Sequence, residues 1–405
     1  MKKTRSARKI REPAVLLTGG HVFTPSDEFW PGDVLLRDGK ILAVGEDLSS
    51  RTPPDAERLD VSGLFVAPGF IDLHTQGAGG HDVWDGTTEA LAGWSLAKAR
   101  EGATAFQPTT GYRDEGFDFL VEHLDRPEEF FPGARPLGVY LESPFCSIER
   151  RGGILKERVL PVSIELLDEI HRRLGDRLRM MTVAPEREHA LEIIAELDRR
   201  GIVPALGHTD CDYSTALLAV EAGVTHVTHC FNTMRTMHHR TPGPLAAVLL
   251  DERVDVELIT DGIHIHPAVV DLAVRLKGAG LVSVVTDSMR ASGLPDGEYT
   301  FGREGRTYRV EEGAVKLPDG TLAGSTLTMI RALENVVRFT RLPLGEALAM
   351  LTSTPARAAR ISHRKGELKP GFDADIVVFH EDYTVHQTIV AGRTVYQHDS
   401  PKAKG

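Results

Sequence analysis

The sequence is poor in cysteine, holds no long apolar run and carries no surplus of positive charge, and each shortage excludes a class of protein. Three cysteines, Cys146, Cys211 and Cys230, form no Cys-x-x-Cys pair in 405 residues, so neither a disulfide framework nor a thiolate zinc site is expected. No run reaches the roughly 18 apolar residues that a membrane-spanning helix needs. The net charge of -11 leaves no basic footprint for nucleic acid, although a local Arg or a helix N-terminus would still hold a small anionic ligand. The start is basic (Lys2, Lys3, Arg5, Arg8, Lys9, Arg11), but the apolar stretch that follows, Ala14 to Leu17, is too short for a signal-peptide core. These features predict a cytoplasmic protein with a disordered basic tail of about ten residues.

What is present is the composition of a soluble enzyme, 41% hydrophobic and 26% charged, on a chain long enough for one large barrel with a satellite domain. Residues 14–66 read as short strands, with Asp38-Gly39 marking a hairpin between Asp33–Arg37 and Lys40–Val44. The far end repeats that style at Ala374–Phe379, Val385–Val390 and Thr394–Tyr396. Between the ends, apolar strands alternate with helical segments, the pattern of parallel βα units. Eight strand candidates follow: Pro68–His74, Ala103–Thr109, Pro136–Ser143, Leu178–Glu186, Ile202–His208, His226–Asn232, Val254–Gly262 and Leu281–Ser288. Eight strands predict a (β/α)8 TIM barrel, with a doubly wound open sheet as the alternative. The expected division is 13–67 and 361–399 for a small β-sandwich domain built from both chain ends, and 68–360 for the barrel. Gly293–Leu322, rich in Gly, Pro and charge, reads as an inserted hairpin beside the site.

The polar residues decide in favour of the barrel. Nearly every strand candidate ends on a chemically active side chain: Asp72 and His74, Glu142, Glu186, His208, His229, Asp261 and His264, and Asp287. Catalytic groups of a TIM barrel project from the C-terminal strand ends, whereas a sheet buried on both faces has no structural use for unpaired carboxylates and imidazoles. Glu142, His208 and His229 offer one carboxylate and two imidazoles with a position left open, the donor set of a catalytic metal site. Asp287, reached by the apolar run Val284-Val285-Thr286, is a candidate general acid/base. Glu with two His suits zinc, iron, manganese or cobalt alike. Arg240 sits in a polar loop after the sixth strand, which opens onto the catalytic face.

Pro68-Gly-Phe-Ile-Asp-Leu-His-Thr-Gln-Gly, Asp261-Gly-Ile-His-Ile-His-Pro, Val285-Thr-Asp-Ser-Met, Leu322-Ala-Gly-Ser-Thr-Leu-Thr-Met, Thr354-Pro-Ala-Arg-Ala and Gly371-Phe-Asp-Ala-Asp-Ile-Val together resemble the N-acetylglucosamine-6-phosphate deacetylase family of the amidohydrolase superfamily. The resemblance implies removal of an acetyl group from a phosphorylated amino sugar. It places the metal on Glu142, His208 and His229 and the acid/base on Asp287. It implies substrate binding by Asn232, Thr233 and His264, and a homodimer in which Arg240 crosses the interface to the neighbour's phosphate. Three positions depart from the family pattern. The first-strand His-x-His reads His74-Thr-Gln76, so one divalent metal is expected and not two, and His74 stands as a metal or substrate residue. Ser143 follows Glu142 where the family has Gly, and Ile154 stands where the family has a substrate-contacting His. Two other readings stay open on the residues: an amidohydrolase acting on another N-acyl or cyclic amide, and a metal-free ligand-binding pseudoenzyme.

Overall fold

The computed structural model describes residues 13–23, 29–114, 116–301 and 305–398; the basic tail expected at the start lies outside them. Eight parallel strands close into a barrel: β1 (Phe70–Thr75), β2 (Ala103–Thr110), β3 (Val139–Phe145), β4 (Leu178–Val183), β5 (Val203–Leu206), β6 (His226–Val227), β7 (Asp255–Ile259) and β8 (Val282–Val285). Every residue of β1 and β2 is buried, because helices cover the outside of such a barrel and side chains fill its interior. Neighbours pair in chain order. The ring closes where Thr75 bridges Ser288 and the Asp287 amide donates to the His74 carbonyl at 2.8 Å, which excludes the open sheet.

Each apolar run expected as a strand contains one, but several stop early. The run His226–Asn232 yields only two strand residues, since His229, Phe231 and Thr233 all adopt positive φ (25°, 80° and 52°), a conformation no strand can carry. Pro144 does not end β3, which continues to Phe145 with a register shift after Leu141. Gly207 lets β5 and β6 converge just ahead of His208: a Cβ there would lie 2.6 Å from the Thr228 Cβ. Helices Thr88–Arg100, Ile164–Leu174 and Tyr213–Ala222 start on Thr87, Ser163 and Asp212, whose side chains accept from the Ala90, Leu166 and Thr215 amides.

Both chain ends contribute to one eight-stranded sheet. Its centre is the antiparallel pairing of Phe65–Pro68 with Ile376–Phe379. The first of the short strands expected after residue 14 is a single strand, Val15–Phe23, with a pairing shift between Leu17 and Gly20. Asp38 and Gly39 turn the predicted hairpin at φ 50° and 74°, the left-handed geometry that a two-residue turn needs. The Gly69 amide donates to the Asp375 carbonyl at 2.9 Å, tying this sheet to the foot of β1. The inserted segment is larger than a hairpin: Gly297–Phe301, Arg306–Glu311, Ala314–Lys316 and Leu322–Ser325 make a four-stranded antiparallel sheet. Phe301, Tyr308, Val310 and Val315 pack it onto Met289 and Ala291, beside the C-terminal strand ends. Among the described residues no helix is long and apolar enough to cross a membrane.

Candidate active site

At the C-terminal mouth of the barrel three donor atoms converge. Oε1 of Glu142, on β3, lies 2.9 Å from His208 Nε2 and 3.1 Å from His229 Nε2, and the two Nε2 atoms are 3.1 Å apart. Such spacings approach the ~3.3 Å edge of a tetrahedron with ~2.0 Å metal-ligand bonds, so the donor set fits a divalent cation. The Nδ1 of His208 donates to the Arg150 carbonyl at 2.8 Å, which leaves the Nε2 lone pair free to ligate. His74, on β1, joins the group: His74, Glu142 and His229 each bring a ligand atom within 4.8 Å of the others.

Backbone strain is concentrated in these residues. His208, His229 and Asp287 have φ of 46°, 25° and 46°, conformations that cost on the order of 1–3 kcal/mol each and persist where surrounding structure enforces them. They aim the side chains inward from chain that has just left the strands. Asp287 follows β8 across the mouth, with Oδ1 at 3.4 Å from His74 Nε2 and accepting from the Gln76 amide Nε2 at 3.1 Å.

Electrostatics follow from this packing. Burial opposes ionisation of Glu142 most strongly, but hydrogen bonds from His208 and His229 prevail and hold its carboxyl well below the ordinary range. Burial lifts the Asp287 carboxyl, and repulsion from Glu142 adds to it, against the attraction of His74, His229 and His264. Burial disfavours a charged His74, yet Glu257, Asp287 and Glu142 together raise it to about 10.

A cavity of about 530 Å³ opens over these groups. Glu142, His208, His229 and Asp287 form its floor, and Asn232, Thr233 and His264 line it as well. His264 is oriented by Asp261, whose Oδ2 accepts from its Nδ1 at 2.7 Å. The three departing residues, Gln76, Ser143 and Ile154, face the same space. Ser143 Oγ is buried with no hydrogen-bond partner, while Ile154 lines the cavity together with the apolar side chains of Trp84, Leu155, Phe301 and Leu317. Arg240 lies outside the cavity on an exposed loop, its guanidinium 2.7 Å from His239 Nε2.

Two strand-end carboxylates serve the scaffold instead. Asp72 pairs with the buried Lys98 at 2.8 Å and accepts from Thr286 Oγ1 at 2.6 Å. Glu186 accepts from Thr209 Oγ1 at 2.5 Å and the Asp210 amide at 2.6 Å. The structure adds groups the motifs did not single out, above all Glu257, which binds His74, His226 and the His229 amide. A signal was present in Asp255-Val-Glu257-Leu-Ile, since acidic residues alternating along a barrel strand must find donors inside.

The chain matches the profile of the Amidohydrolase family over residues 65–395. It is 35% identical over 369 residues to the N-acetylglucosamine-6-phosphate deacetylase of Lysinibacillus sphaericus, covering 89% of this chain and 92% of that one. It is likewise 35% identical over 372 residues to the N-acetylgalactosamine-6-phosphate deacetylase of Escherichia coli O157:H7, covering 91% of this chain and 96% of the relative. Among solved structures, a mutant N-acetyl-D-glucosamine-6-phosphate deacetylase of Mycobacterium smegmatis in complex with N-acetyl-D-glucosamine-6-phosphate superposes with a TM-score of 0.85 at 30% identity, covering 95% of this chain and all of that one.

Proposed function

The chain belongs to the N-acetylglucosamine-6-phosphate deacetylase family of the amidohydrolases, and from that membership we propose that it hydrolyses the N-acetyl amide of N-acetylglucosamine 6-phosphate, or of a related N-acetylhexosamine phosphate, to acetate and the amino-sugar phosphate. The observation that carries this reading is the convergence of Glu142 with the His208 and His229 Nε2 atoms at 2.9 and 3.1 Å, with Asp287 facing the same cavity.

Glu142, His208 and His229 hold one divalent metal, and the metal supplies Lewis acidity and makes water nucleophilic near neutral pH. Asp287 takes a proton from the attacking water and returns it to the leaving nitrogen; its raised proton affinity suits a group that must both accept and release. A count of one is supported by Gln76, whose amide supplies a hydrogen-bond donor to Asp287 Oδ1 where a second cation would otherwise offset that carboxylate. Zinc, iron, manganese and cobalt all suit the donors.

Asn232 and the backbone at Thr233 hold the sugar, and His264 the phosphate side. Arg240 reaches the phosphate of a neighbouring protomer in a homodimer. Its place outside its own cavity supports this, as do Met237, Leu218 and Leu250, exposed at 46%, 55% and 66% on its loop and on the helices that flank it. The chain works in the cytoplasm, and divides at 67/68 and 360/361 into barrel and terminal β domain.

Acetate release from phosphorylated and unphosphorylated N-acetylhexosamines of both the gluco and galacto series tests the proposal. Hydrolysis restricted to a phosphorylated sugar is the expected result. Equal rates with and without phosphate would remove the roles of His264 and Arg240. Propionate release from the N-propionyl analogue of the preferred sugar phosphate reads the space around Ile154.

A further inference from the structure

Beneath the metal-ligating residues the barrel contains a carboxylate with no exposure to solvent. Glu257 lies on β7 between Val256 and Leu258, and all three are 0% exposed. Burying a charge there is costly unless donors surround it, and three do. Oε2 accepts from His74 Nδ1 at 3.0 Å and from the backbone amide of His229 at 2.8 Å. Oε1 accepts from His226 Nε2 at 2.9 Å. Farther down, His226 Nδ1 lies 3.0 Å from Asp255 Oδ1 but off the hydrogen-bond axis, and that oxygen accepts from Ser283 Oγ at 2.8 Å.

One side chain therefore holds two members of the site, which come from opposite parts of the chain. By accepting from His74 Nδ1 it fixes the ring so that Nε2 points at Asp287 Oδ1 and Glu142 Oε1, at 3.4 and 3.9 Å. By accepting from the His229 amide it pins the backbone of a ligand whose φ is 25°, a conformation that relaxes when its restraint is lost. From this geometry we infer that Glu257 is a positioning residue of the metal site, setting the orientation of His74 and the backbone of His229 without touching the metal or the substrate. The inference rests on the metal-dependent reading above.

Glu257→Gln keeps the shape but replaces a charged acceptor with a neutral amide, so the bonds from His74 Nδ1 and the His229 amide lose their charge assistance, and the new NH2 must face either those donors or the His226 ring. Loss of an outer partner of a metal ligand weakens metal binding by about 10–100-fold. Chelator competition on metal-free protein should show that loss for Glu257→Gln, with kcat reduced and KM within about threefold of the parent. Asp255→Asn, two steps removed, should bind metal as the parent does. Parent-like metal affinity in a folded Glu257→Gln protein would overturn the inference, and so would an equal loss in Asp255→Asn, which would mark a general packing defect. Should Glu257→Gln not fold, nitrogen-resolved NMR of the unmodified metal-free protein decides. A slowly exchanging, deshielded Nδ1 proton that vanishes in His74→Phe is expected, and its absence overturns the assignment. If the unmodified protein binds no divalent ion, the functional reading itself has failed; if it binds and turns over while Glu257→Gln does so equally, only the role of Glu257 has.

Discussion

The Gln76 side-chain amide donates to Asp287 Oδ1 at 3.1 Å, so the residue just past β1 holds the proposed acid/base just past β8. Asp287 is 6% exposed, and this donor helps a buried carboxylate keep both its charge and its aim. Gln76→Leu should leave metal content at one ion per chain and lower kcat by about tenfold, the worth of one hydrogen bond to a charged group. Metal analysis together with steady-state kinetics checks it; an unchanged kcat would show that Asp287 is positioned without Gln76.

Ligand and acid/base substitutions should separate cleanly. Glu142→Gln, His208→Asn and His229→Asn should each purify with little metal, and dialysis of the parent against a chelator should abolish activity until a divalent ion is restored. Asp287→Asn should retain metal and lose about 10²–10⁴-fold in kcat. Elemental analysis of the four variants side by side makes the distinction, and metal loss in Asp287→Asn would reassign it as a ligand.

Arg240→Ala should raise KM for a phosphorylated substrate and leave kcat within about threefold, since lost uniform binding appears in KM. Mixing Arg240→Ala protomers with Asp287→Asn protomers tests whether the Arg acts across an interface. A mixed dimer holds one site with its own Asp287 and the Arg240 of the other chain, so low-substrate activity should reappear after subunit exchange. No recovery in a verified mixed dimer would place Arg240 in its own subunit's site.

Asp82, 0% exposed, caps the short turn Val83–Asp85. Burial raises its carboxyl from 3.8 to about 7, against the nearby Arg290. A folded-state value above the unfolded one means that the stabilisation is complete below pH 4 and is lost as pH rises through about 7. The span corresponds to about 4 kcal/mol. The melting temperature of the parent, relative to Asp82→Asn, should fall between those limits; a constant difference would show that Asp82 keeps an ordinary proton affinity when folded.

The eight barrel strands were legible because a parallel barrel buries both faces of each strand, which leaves apolar runs such as Val203–Leu206, and because polar residues are tolerated where those runs end. The quartet Glu142, His208, His229 and Asp287 was legible for the same reason. Strand ends were less so: His226–Asn232 reads as one strand, but His229 must turn into a left-handed conformation to face Glu142, and that demand comes from the site and not from local propensity. The inserted segment showed its turns but not its four strands, since its order depends on packing against Met289 and Ala291.

Sequence alone determined the fold class and the family and singled out a candidate donor set, because each rests on local patterns: periodicity, a strand-end position, a run of motif residues. Only the tertiary structure decided which polar groups meet. Gln76 reaches Asp287 across 211 residues of chain, and Glu257 reaches His74 across 183. Such contacts exist because barrel closure brings β1 against β8 and points β1 and β7 side chains into one interior. No spacing along the chain encodes them.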